Sequence, residues 1–203
     1  MPIRRRDVCT STLAVCAVGA AGIVPSLAFA GAINERAVGD VYAVRQPTRN
    51  TCWATVAAIM YSWRNKRSSR IEDVLQLAGP KYVRLFRDDR GLTSADKPEF
   101  LNALGGLKSE APQSYSVEAW AKLVRDYGAL WVTSDEGRVG RFSIHARVVT
   151  ELEGDGSSTG TRFTLVDPAD AQFHSESVSE FVAKFEKVAR DDGAQPRPQV
   201  VHY

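Results

Sequence analysis

Three observations predict an α+β domain, with helices first and antiparallel strands after. The chain has 203 residues, 44% of them hydrophobic, which is one domain's worth of core. From residue 52 to 128, apolar side chains recur at the three- and four-residue spacing of helices. From 129 to 167 they give way to β-branched and aromatic runs separated by turn residues.

Each element has its own signal. A short strand is expected around Val41–Val44, and Pro47 and Asn50 then break structure. "CWATVAAIMYSWRN" places apolar residues at 53, 56, 57, 60 and 63, predicting a helix from Cys52 to about Asn65. Ser69 and Glu72 have the spacing of a capping box for a second helix that stops at Gly79-Pro80. Two further helices are expected after Asp96 and Ser116, ending at Gly105 and Gly128. Strands are predicted over 129–134, 143–152 and 161–167, the last two joined by the loop "EGDGSSTG". Ser177 and Glu180 cap a late helix. Residues 31–190 therefore read as one domain, and 191–203, rich in proline and charge, as a flexible tail.

The first 30 residues have the layout of an export signal. Arg4, Arg5 and Arg6 precede a small-residue apolar run that ends in Ala28-Phe29-Ala30, so cleavage is expected after Ala30. Arg5-Arg6 followed by Asp7-Val8 is twin-arginine-like, with an ordinary secretory signal as the alternative. The run is too short to span a bilayer. The expected destination is the periplasm or the exterior, with no membrane attachment after cleavage. Removing these residues takes the whole formal charge of +2 with it. A neutral remainder offers no electrostatic footprint for nucleic acid.

Cys9 and Cys16 leave with the signal, so Cys52 is the only cysteine of the mature chain. An internal disulfide is then impossible, and one cysteine without a histidine cluster is no zinc site. No metal or cofactor is expected. Cys52 opens its predicted helix, where orphan amides and the positive dipole end favour a thiolate.

A cysteine nucleophile needs a base, and His145, His174 and His202 are on offer. His174 falls in a polar loop and His202 in the tail, positions typical of surface side chains. His145 opens a strand. Pairing 143–152 with 161–167 about a loop centred on Gly156 sets His145 opposite Asp167, whose carboxylate then fixes the imidazole tautomer. Gln46, six residues before Cys52, offers a side-chain N–H which, with the backbone N–H of Cys52, would cradle an oxyanion.

Together, Gln46-x5-Cys52-Trp53-Ala54, His145-Ala146 and Asp167-Pro168 resemble the papain-like cysteine peptidases over residues 43 to 189. The chain is most similar to the small bacterial branch with staphopains and the avirulence-effector peptidases of plant pathogens. The resemblance implies a helical half whose central helix is headed by the cysteine, a β-sheet half, and an active site in the cleft between them. It implies Cys52 as nucleophile, His145 as base then acid, Asp167 as orienting group and Gln46 as oxyanion donor, acting on a polypeptide as a monomer. Two departures stand out. Plant and animal relatives carry Asn followed by Ser-Trp where this chain has Asp167-Pro168-Ala169. Only 15 residues separate Ala30 from Gln46, too few for an inhibitory pro-domain, so export, a separate inhibitor or immunity protein, or narrow specificity would have to restrain the enzyme. Two other classes compete with the peptidase. One is a transglutaminase-like or amidase acyl transferase with the same Cys-His-Asp set, and the other is a non-catalytic secreted binding module. Trp131, Phe142 and Tyr115 are expected to pack the core rather than line the cleft.

Overall fold

The computed structural model describes residues 31–137, 141–191 and 198–203. The export signal expected over 1–30 lies outside the described residues.

The first helix, α1 (Cys52–Arg64), starts and ends where its pattern predicts. Nine of its residues, among them Trp53, Val56, Ile59 and Met60, are buried, because it is apolar on nearly every side and runs through the middle of the molecule. Helices α2 (Ile71–Ala78), α3 (Pro80–Arg87) and α4 (Lys97–Ala103) pack around it. The capping box expected at Ser69 does not form: α2 is capped at Arg70 with no side-chain bond, and the Ser69 N–H donates instead to Ser62 Oγ at 3.0 Å. Gly79, at φ 112°, stops α2, but Pro80 then starts α3 directly, using the proline's fixed φ at a position that needs no N–H donor. Helix α5 (Val117–Tyr127) is capped by Ser116 and stopped by Gly128, as expected. In α6 (Val178–Asp191) the box is reciprocal, Ser177 N–H to Glu180 Oε2 at 2.8 Å and Glu180 N–H to Ser177 Oγ at 3.2 Å.

The sheet is antiparallel throughout. Its strands are β1 (Ile33–Arg36), β2 (Lys108–Ser109), β3 (Leu130–Asp135), β4 (Ile144–Gly154), β5 (Arg162–Asp167), β6 (Gln172–Ser177) and β7 (Val200–His202). They run in the order β2-β7-β3-β4-β5-β6, with β1 alongside β4. One face, through Trp131, Ala146, Val148 and Val166, covers α1 and its neighbours. The other, through Leu130, Val132, Val149, Leu152, Phe163 and Leu165, carries α5 and α6. Trp120 sits at the centre of that second core, edge-on to Phe163, Phe181 and Phe185.

Four expectations need correction. Val41–Val44 is not a strand; the first strand among the described residues is β1, paired with β4. His174 lies in the edge strand β6 rather than a loop, though its ring is indeed exposed and bonds Asp170 at 2.9 Å. The residues at the end of the expected flexible tail 191–203 form β7, inserted between β2 and β3. Two adjacent valines, Val200 and Val201, gain burial on opposite faces there, one in each core. His202 is accordingly not a surface side chain: it is buried, bonded to Glu110 at 2.8 Å and stacked on Tyr127.

The β4–β5 register differs from the expected one in an informative way. Near the loop, Glu151 faces Thr164; beyond a bulge between Val149 and Glu151, Val149 faces Leu165 and Val148 faces Val166. Continued by one residue, this ladder sets Asp167 opposite Arg147 and not His145. The hairpin is displaced from the expected centre by an odd step, and the bulge returns one residue. The net shift of two keeps His145 and Asp167 on one face as diagonal neighbours, within reach of long side chains. In an unbulged ladder from Glu151 onward, the two would face opposite sides.

Candidate active site

Cys52 is held in place by the segment just before it. The Gln46 N–H donates to the Pro168 carbonyl at 2.7 Å, tying the segment to the turn after β5. Asn50 is clamped on the helical side, its N–H to Asp89 Oδ1 at 2.8 Å and its side-chain amide to the Asp89 carbonyl at 3.0 Å. The chain therefore crosses from the sheet half to the helical half and enters α1 at the boundary. Thr51, fully buried, is the N-cap residue, but its hydroxyl donates back to the Thr48 carbonyl at 2.9 Å. No side chain caps α1, and no acidic residue occupies its first turn. The thiol is thus placed at the positive end of the helix dipole with no competing carboxylate on that turn.

His145 and Asp167 meet this position from the sheet. Imidazole Nε2 lies 2.7 Å from Asp167 Oδ1, with the side chains 13% and 19% exposed. Asp167 Oδ1 also accepts the Ala169 N–H at 2.8 Å, which fixes the carboxylate's orientation. Burial disfavours charge on the ring, yet the hydrogen bonds to Asp167 and to the Cys52 thiol, with the charges on both, hold the imidazole up to about 9, from an ordinary 6.5. Asp167 moves the other way: burial would raise it, but the bond to His145, the imidazolium charge, the Ala169 N–H and the Arg147 charge together hold it below the carboxylate range. This arrangement suits a charged imidazole, backed by a carboxylate, beside the Cys52 thiol.

Gln46 lines the same cleft, but its amide faces the loop. Nε2 donates to the carbonyls of Thr48, at 2.9 Å, and Arg49, at 3.1 Å, while Oε1 is buried without a partner among the described residues. Reversing the amide would set its oxygen against two carbonyls, so the observed orientation is the satisfied one. For Gln46 to donate to an oxyanion, it must release one of these two acceptors. The Cys52 N–H, as the first of its helix, has no intrahelical acceptor to leave.

The cleft has a volume of 560 Å³ and runs between the two halves past Cys52, His145 and Asp167. Its helical wall is Trp53 and the loop around Leu92 and Thr93, and its sheet wall includes Thr133, Ala146 and Glu136. Trp131 is buried, as expected of a core residue, and lines the cleft as well; Lys97 lies over its ring and donates to the Pro198 carbonyl at 2.7 Å. Tyr115 packs on Trp120, whereas Phe142 is 41% exposed and not a core residue. Sequence reasoning missed Lys97, at the start of α4, and Pro198 and Gln199, just before β7, as wall residues, because element ends and loops carry no periodicity. Among the described residues, no group of three or more His, Cys, Asp or Glu side chains is placed to hold a metal ion.

A family model described as papain-like cysteine protease AvrRpt2 matches residues 35–186. The chain belongs to this family. It is therefore a papain-like cysteine protease, a hydrolase whose substrate is a polypeptide, and the six helices and seven-stranded sheet among the described residues form the α+β mix of such enzymes. The matched span takes in Gln46, Cys52, His145 and Asp167 and stops before β7, which completes the sheet from outside it. A search of curated proteins gave no match.

A pH prediction follows for this protease. Labelling of Cys52 by iodoacetate, an anion drawn to the imidazolium, is expected to be fast at pH 6 and to fall as pH rises through about 9, where His145 loses its charge. The same charge contributes stability that is complete below 6.5, the ordinary histidine value, and is lost through about 9. In Asp167→Asn the alkaline fall is expected at lower pH, because the amide replaces a carboxylate that favours the cation. A fall at the same pH in both proteins would remove Asp167 from this role.

Proposed function

We propose that this protein is an exported peptidase that cleaves peptide bonds through a thioester on Cys52, with His145 as base and acid. The observation that carries the mechanism is the His145–Asp167 bond of 2.7 Å on the sheet side, facing a cysteine at the uncapped start of α1. The Cys52 thiolate attacks the substrate carbonyl carbon, and the oxyanion is met by the Cys52 N–H and by Gln46 once it turns from its loop carbonyls. His145 passes its proton to the departing amine as the C–N bond breaks. It then takes a proton from water, which attacks the thioester and releases the carboxylic acid and the thiolate. Asp167 holds the ring through both steps. Export is supported by the arginines and apolar run of residues 1–30, ending in Ala28-Phe29-Ala30. Among the described residues, no helix is long and apolar enough to cross a membrane.

Incubation with casein and a primary amine tests hydrolysis against acyl transfer. New casein N-termini without incorporated amine are expected. Amine incorporation without new N-termini would reject the peptidase reading in favour of a transglutaminase-like one.

A further inference from the structure

We infer that Arg147 is a positioning residue for this site, a buried cation that keeps Asp167 ionised whether or not His145 is charged. The inference rests on the thiol mechanism proposed above. Arg147 lies two residues beyond His145 on β4, and its side chain is 5% exposed. The continued β4–β5 ladder sets it directly opposite Asp167. Its Nη2 reaches Glu136 Oε1 at 2.6 Å, Glu176 Oε1 at 2.8 Å and Ser134 Oγ at 3.1 Å, and the guanidinium lies 5.8 Å from the centre of the Phe181 ring. Lys184 also pairs with Glu136, at 3.1 Å, and with Glu176. Lys187 pairs with Asp135. Each acid in this cluster is thus matched by a cation, so Asp167 borders a compensated network anchored by a guanidinium.

The chemistry gives such a cation a purpose. An asparagine in the orienting position is neutral and needs no counter-charge when the imidazole is neutral. An aspartate does, and the imidazole becomes neutral in every turnover as its proton goes to the leaving amine. Among the described residues, the other charged groups around Asp167 do not fill this role. His145 and Cys52 change charge together during the reaction. Arg45 approaches only through the Ala169 carbonyl, at 3.3 Å. Asp170 and His174, beyond the turn, are exposed and paired with each other. Arg147 is the permanently charged, buried cation facing Asp167 from its partner strand.

The test is a double-mutant cycle on the pH profile of Cys52 labelling by iodoacetate. R147M is expected to move the acid limb of labelling up by about one pH unit, since Asp167 then takes its proton more readily. Arg147→Lys should restore the limb. In the Asp167→Asn background, R147M should leave the limb where D167N puts it. An equal shift in both backgrounds, or none in either, overturns the inference and leaves Arg147 a packing residue. If R147M does not fold, the double variant R147M/E176Q, which strands no buried carboxylate of that pair, carries the same expectations. Absence of fast labelling in the wild type would instead defeat the thiol mechanism, so the two failures are distinguishable.

Discussion

Cys52→Ala and His145→Ala are each expected to lower peptide hydrolysis on the order of 10⁴-fold or more, with little change in Tm for Cys52→Ala and a lower Tm at neutral pH for His145→Ala, which loses the ion pair with Asp167. The size follows from the division of labour at the site. In the proposed mechanism, loss of the thiol leaves no acyl-enzyme, and loss of the imidazole removes both the counter-ion of the thiolate and the acid for the departing amine. The two losses should not add, because the residues act as one unit, so the double variant should be about as inactive as either alone. The fold should tolerate both changes. Cys52 is only partly buried at the cleft edge, packed against one core without being enclosed in it, and His145 belongs to neither core. Thermal melts beside activity assays check this, and full activity in His145→Ala would assign the base to another residue.

Trp120→Ala has the largest expected effect on stability, a loss of about 3–5 kcal/mol. The indole is fully buried and contacts Tyr115, Phe163, Phe181 and Phe185 at centroid distances of 4.6 to 5.5 Å. Truncation leaves a cavity that four rings from three segments of the chain would have to close. For a domain of this size the loss corresponds to a fall in Tm of about 6–20 °C. Activity should fall with it as temperature rises, because Phe163 lies on the strand that ends in Asp167, and Phe181 underlies Arg147. Trp120→Phe should cost far less. The Trp120 Nε1 is buried without a partner among the described residues, so replacing the indole removes an unsatisfied donor along with some contact area. Differential scanning calorimetry of both variants measures the contrast, and equal losses would show that ring volume is not what this core depends on.

Much of this architecture could be read from the chain because its signals are local. The continuous apolar pattern after Cys52 gave α1 to within a residue, and the Ser116 and Ser177 caps formed as their spacing predicts. What escaped depends on contacts distant in sequence. Val200–His202 is too short and too close to proline to read as a strand, and only the open edge of β3 makes it one. Pro80 reads as a stop, yet it begins α3, because N1 is the one helical position where proline is at ease. The pairing of His145 with Asp167 was visible although the register behind it was not. A bulge cannot be seen in residue types, but a shift of two residues preserves the face. Arg147 carried no sequence signal, since nothing local marks which arginine will be buried beside a carboxylate. The orientation of Gln46 was hidden for a similar reason: its amide is set by two carbonyls in a turn whose shape the sequence does not specify.

The central claim is peptide hydrolysis by Cys52 and His145, and mapping of new N-termini tests it most directly. A complex protein mixture would be incubated with the wild-type enzyme, with Cys52→Ala and with His145→Ala, and its N-termini labelled and sequenced. The structure predicts a set of new N-termini with the wild type, sharing residues at fixed positions around the cut, and none above background with either variant. The same cuts appearing with Cys52→Ala would contradict the account.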